Sequence, residues 1–125
     1  LQGAVREHRT RSDEAWCIVR NMNSQRRIDR QVAALHAAIA ARIRSGDFSP
    51  IERAKHNLQR WRESFGGTLP MAYAEWVELL DGEEIARILD VMLGDSEDAV
   101  RRRSNSPFTG VLSAIERLEI MRRAA

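Results

Sequence analysis

The chain has one cysteine, one lysine and three prolines in 125 residues. The lone Cys17 excludes an internal disulfide framework and a zinc site built on several thiolates, and it fits a reducing, cytoplasmic setting. No apolar run approaches the ~18 residues that a membrane-spanning helix needs. No basic–apolar–small leader opens the sequence, so a soluble, cytoplasmic protein without membrane partners is expected. Glycine-rich phosphate loops are missing too, because Gly66-Gly67 run into Thr68-Leu69-Pro70 with no lysine. Neither a His-Glu-x-x-His zinc pattern nor the Glu-x-x-His spacing of di-iron bundles occurs. These gaps argue against an enzyme and against a bound metal or cofactor.

What is present suffices for one domain. At this length folding buries roughly two-thirds of the chain's surface. The 43% apolar and 30% charged content lies outside the disordered regime. All basic residues but Lys55 are arginine, a skew that fits a GC-rich genome, so arginine counts alone do not indicate nucleic-acid binding. The first methionine is Met22. Residues 1–21 are therefore expected to form a poorly ordered tail, a candidate mis-assigned start, ahead of a single helical domain over 22–125.

Charge is segmented: +6 over residues 22–62, −9 over 63–98 and +4 over 99–125. One explanation is mutual solvation of basic outer helices and an acidic middle pair. The other is an acidic face that meets a basic partner.

Apolar residues recur at intervals of three and four almost throughout. Ile28, Val32, Leu35, Ile39 and Ile43 predict a long Ala-rich helix capped by Ser24 and stopped by Gly46. Ser49, Pro50 and Glu52 mark the start of a second helix, with Ile51, Ala54, Leu58, Trp61 and Phe65 on its stripe. A third is expected from Pro70 to Leu80, with Met71, Ala74, Trp76, Val77 and Leu80 apolar, and a fourth from Glu83 to Leu93. A short fifth follows, capped by Asp95 or Ser96, and a sixth opens on a Ser113–Glu116 capping box. No long alternation at period two occurs, so the fold class expected is all-α: five to six helices joined by short loops, without a sheet.

The stretch RRRSNSPFTGVL, 101–112, breaks this rhythm. Pro107 forces Ser106 out of the helical region, and Phe108, Val111 and Leu112 are too apolar to hang in water. An extended plug with Phe108 docked near Trp76 or Trp61 is expected. The alternative is an exposed anchor of Phe108 with Arg101, Arg102 and Arg103, since aromatics and arginine dominate interface hot spots. Ser49, Ser106 and Ser113 suit caps and turns, and His36 suits a half-buried position within a helical bundle.

The segments LHAAIA (35–40), NLQRW (57–61), AYAEWVELL (72–80) and RRRSNSPFTGVL occur in an order and spacing that resemble a family of small, mostly uncharacterised bacterial proteins. These are encoded beside partner genes in arrangements like those of toxin–antitoxin pairs. Arg102, Asn105 and Thr109 are among the departures from the RLRQSSPFAGVL form of the last motif, and they do not alter its turn and apolar island. The resemblance implies a helical protein with a protein partner, such as a cognate toxin.

Candidate partner-binding residues are thus Glu75, Glu78, Glu83 and Glu84, rimmed by Arg101, Arg102, Arg103 and Phe108. A DNA-binding or autoregulatory alternative would use Arg26, Arg27, Arg30, Arg53, Lys55, Arg60 and Arg62. A third alternative is a homo-oligomer with the Ala-rich helix as its seam.

Overall fold

Residues 11–44 contain neither glycine nor proline, so nothing in the sequence stops a helix before Gly46. In the computed structural model, which describes residues 11–125 and side chains from residue 22 onward, this stretch is one helix, α1 (Arg11–Arg44). Ser24 is therefore interior to a helix and not its cap. Of the expected tail 1–21, residues 11–21 belong to α1, and residues 1–10 lie outside the described residues. Five more helices follow: α2 (Ser49–Ser64), α3 (Met71–Asp81), α4 (Ile85–Leu93), α5 (Glu97–Arg103) and α6 (Ala114–Ala124). The described residues form no strand, and none of their helices is long and apolar enough to cross a membrane.

The turn after α1 forms as expected. Gly46 adopts φ 94°, its N–H donates to the Ile43 carbonyl, and the Asp47 N–H reaches back to that of Arg42. This is the Schellman pattern, which needs a left-handed residue. The start of α2 differs from expectation. Phe48 occupies the cap position, and the Asp47 carboxylate accepts the Ser49 N–H at 3.0 Å. Ser49 is already helical and forms no capping box, because Asp47 makes the local turn one step earlier. The Ser113–Glu116 box at α6 and the Ser96 cap of α5 both form.

α1 is the hub, packed against α2, α4, α5 and α6, while α3 bridges α2 and α4 and α5 lies on α4. The core gathers Ile39, Ala40 and Ile43 of α1 with Leu58, Trp76, Leu80, Ile88 and Met92. Each large side chain buried there contributes about 1.5–3 kcal/mol. The contact of α6 with α1 reaches back to Gln31, whose side-chain amide donates to the Met121 carbonyl at 3.1 Å. Ile28, one turn earlier, is consequently 48% exposed although it belongs to the stripe. Phe65 and Met71 are exposed at the ends of α2 and α3 for the same reason: no neighbouring helix extends over them. Trp61 is half-buried against Tyr73, with ring centroids 5.1 Å apart and the planes tilted by 56°.

Candidate functional site

Three consecutive arginines on the last turn of α5 point in three directions, because each helical residue turns by about 100°. Arg101 faces outward and bonds Asp98 at 2.7 Å and Glu75 at 3.0 Å. Its bond to Asp98, helped by the charge of Arg102, holds that carboxyl below the usual aspartate range. The Nε of Arg102 lies 3.0 Å from Asp98 and 3.8 Å from Glu75 without hydrogen-bond alignment to either. Arg103 is buried, and its Nη1 donates to the carbonyls of Val91 at 2.9 Å and Gly94 at 2.6 Å. It thereby closes the C-terminal end of α4, where a cation is favoured. The three arginines expected to rim a partner surface are thus engaged within the fold.

Phe108 is only 5% exposed and meets the edges of two rings, Trp76 at 5.6 Å and His36 at 5.9 Å. It is the plug, and it is unavailable as an exposed anchor. The backbone around it is held by side chains from two helices, α2 and α3. Asn57 Nδ2 donates to the carbonyls of Pro107 at 2.9 Å and Thr109 at 2.8 Å, and Trp76 Nε1 donates to that of Arg102 at 2.9 Å. Asn57 was not singled out from sequence; its place on the buried stripe between Ala54 and Leu58 is the one available signal.

His36 is buried, not half-buried. Its Nδ1 lies 2.8 Å from the Val32 carbonyl, which can only accept, so Nδ1 carries the proton. Nε2 then accepts from the Ser106 hydroxyl at 2.7 Å, while Ser106 Oγ accepts the Phe108 N–H at 3.3 Å. Burial lowers the histidine's affinity for a second proton, the Val32 carbonyl opposes this, and the nearby charge of Arg103 adds to the lowering. The Ser106–His36 contact has the spacing of a nucleophile and its base. A carbonyl stands where a carboxylate would orient the ring, and the Phe108 amide occupies the serine oxygen, so the pair acts as a clip on the plug.

The acidic segment forms a concave surface. Glu75 and Glu78 of α3, Glu84 at the start of α4, Asp90 of α4 and Asp98 of α5 line a groove of about 380 Å³, with Leu79 and Val91 also in its wall. Five carboxylates there face two guanidiniums, those of Arg87 and Arg102. Arg87 lies 3.7 Å from Glu84. Glu83, expected on this face, is absent from the groove wall. It takes φ 54° in the turn between α3 and α4, and its carboxylate lies 3.4 Å from Lys55 of α2. Asp98 was missed because the sequence places it in a different helix from the acidic pair.

Of the basic residues proposed for DNA, Lys55 is engaged by Glu83, and Arg60 donates to the Asn57 side chain at 3.3 Å. Arg53 lies against Gly110, where an added Cβ would be 2.8 Å from its Nη2. Arg26, Arg27, Arg30 and Arg62 are exposed. Among the described residues no cluster of three histidine, cysteine or carboxylate side chains is arranged to hold a metal ion. No family model, no curated protein and no solved structure matches this chain.

Proposed function

We propose that this protein is a non-enzymatic binding module whose acidic groove takes up an arginine- or lysine-bearing segment of a partner protein. The observation that supports it is the convergence of Glu75, Glu78, Glu84, Asp90 and Asp98 from three helices around a partly apolar wall. A basic helix or loop would neutralise the carboxylates while laying its aliphatic stems on Leu79 and Val91. Uncompensated charge of one sign steers encounter and sets specificity more than it sets affinity. Arg101 fixes Glu75 and Asp98 at the rim, and Arg102 shares the groove wall with them. In the setting that the motif resemblance implies, the partner is a cognate toxin whose basic active-site surface is occluded.

The test uses an arginine-rich peptide, titrated calorimetrically into the full chain at low and high salt, and the neighbouring gene product co-expressed in a growth assay. Peptide binding should weaken as salt rises. A Glu78→Lys, Glu84→Lys double variant should lose both the peptide and the relief of growth arrest. Unchanged binding by that variant, or growth arrest that the parent protein fails to relieve, overturns the reading.

A further inference from the structure

Arg103 and Arg117 line a second cavity, of about 180 Å³, between α1, the 104–112 segment and α6. Besides these two arginines its wall holds Ser104, Ser106, Thr109 and His36, and not one acidic residue. Arg103 is 6% exposed, yet only its Nη1 has protein acceptors, the Val91 and Gly94 carbonyls; among the described residues Nε and Nη2 have none. Arg117 likewise forms no ion pair among the described residues, while its neighbour Glu116 is taken by Arg42 at 2.6 Å. Asp29 and Asp95 favour the charge of Arg103 from a distance, but neither lines the cavity.

We infer that this cavity binds one small oxyanion, the carboxylate or phosphate group of a ligand, between Arg103 and Arg117. A guanidinium fork matches the oxygens of either group, and such charge-assisted bonds strengthen where water is partly excluded. The space equals about six water volumes, enough for the anionic group and a short tail. Thr109 in the same wall adds a hydroxyl donor, whereas the Ser104 hydroxyl is already given to the Arg101 carbonyl at 2.6 Å. The site is separate from the acidic groove: Arg102 lines the groove and Arg103 the cavity, so adjacent residues serve surfaces of opposite charge.

The full chain, titrated with inorganic phosphate, with acetate, and with chloride at matched ionic strength, tests this by NMR of the arginine side chains and the His36 ring. Saturable shifts at Arg103, Arg117 and His36 are expected in the millimolar range, with the His36 titration moving to higher pH because a bound anion offsets Arg103. Arg117→Ala should weaken binding about tenfold or more at an unchanged unfolding midpoint, and Arg117→Gln should do the same with the side-chain length kept. Response to phosphate alone identifies a phosphate ligand, and response to acetate alone a carboxylate. Shifts that chloride reproduces, no shifts at all, or affinity in both Arg117 variants equal to that of the parent protein overturn the inference.

Discussion

The hydroxyl of Ser106 lies 2.7 Å from Nε2 of His36, joining the turn before Phe108 to the central helix across 70 residues of chain. With Nε2 as the acceptor the ring is neutral, and burial beside Arg103 favours that form. The unfolded histidine takes up its proton near 6.5, whereas the folded one resists until lower pH. Stability is therefore complete above that value and falls as pH drops through it, levelling once the folded ring is protonated. The slope cannot exceed about 1.4 kcal/mol per pH unit for one proton. Urea unfolding at a series of pH values between neutrality and mild acid should show this loss, and His36→Gln should remove most of it. Hydrogen bonds from Arg101 and from the Ser113 backbone hold Asp98 and Glu116, respectively, below the usual carboxylate range. Their contributions therefore begin to be lost only as pH falls through their ordinary values of 3.8 and 4.5, below the 6.5 at which the His36 effect begins.

Asn57 gives a second expectation. Its amide satisfies two otherwise unpaired carbonyls at Pro107 and Thr109, which a proline-containing loop cannot pair within itself. Asn57→Leu keeps the branched shape and leaves the buried Pro107 carbonyl without a donor and the more exposed Thr109 carbonyl to water, at a cost of about 1–3 kcal/mol. Asn57→Asp should be worse, since a carboxylate would face two carbonyl oxygens. Denaturant midpoints of the two variants measure the order.

The helices were legible in the sequence because their packing is local and periodic. Intervals of three and four located the stripes that became Ile39–Ile43, Ile51–Leu58 and Ile88–Met92. Helix ends were legible where one residue decides them, as at Gly46, Ser96 and Ser113. They were misplaced where alternatives compete: Ser24 had no breaker behind it, and Asp47 displaced Ser49. The groove and the cavity were less legible, because each depends on which way neighbouring side chains turn. Nothing in the triplet of arginines says that the first would be held by Glu75, the second would enter the groove and the third would be buried under α4. Nor does periodicity reveal that Asp98 joins Glu75 or that Ser106 reaches His36.

Two glycines should separate backbone crowding from backbone conformation. At Gly94 a Cβ would sit 2.5 Å from the Asp90 carbonyl oxygen, a backbone atom that cannot swing away. At Gly110 it would meet the far end of Arg53, which can move, so the remaining cost is that of φ 84°. Gly110→Ala should lose about 1–2 kcal/mol. Gly94→Ala should lose more, about 2–3 kcal/mol, and should also displace the carbonyl that Arg103 holds. Thermal unfolding of both variants ranks them, and equal losses would show that the α4 end relaxes freely.

Phe108 gives the largest expected effect. It is the apolar residue that ties the 104–112 segment to α1 through His36 and to α3 through Trp76. Phe108→Ala removes the ring and both edge contacts and leaves a void walled by an indole and an imidazole, so a loss of about 3–5 kcal/mol is expected. Phe108→Leu keeps most of the volume and should lose less than half as much. Tryptophan fluorescence should report the alanine change directly, since Trp76 is buried against the ring. If the segment is held mainly by Asn57 and Ser106, the alanine variant will instead unfold at nearly the parental midpoint, and the plug will be secondary to the polar clip.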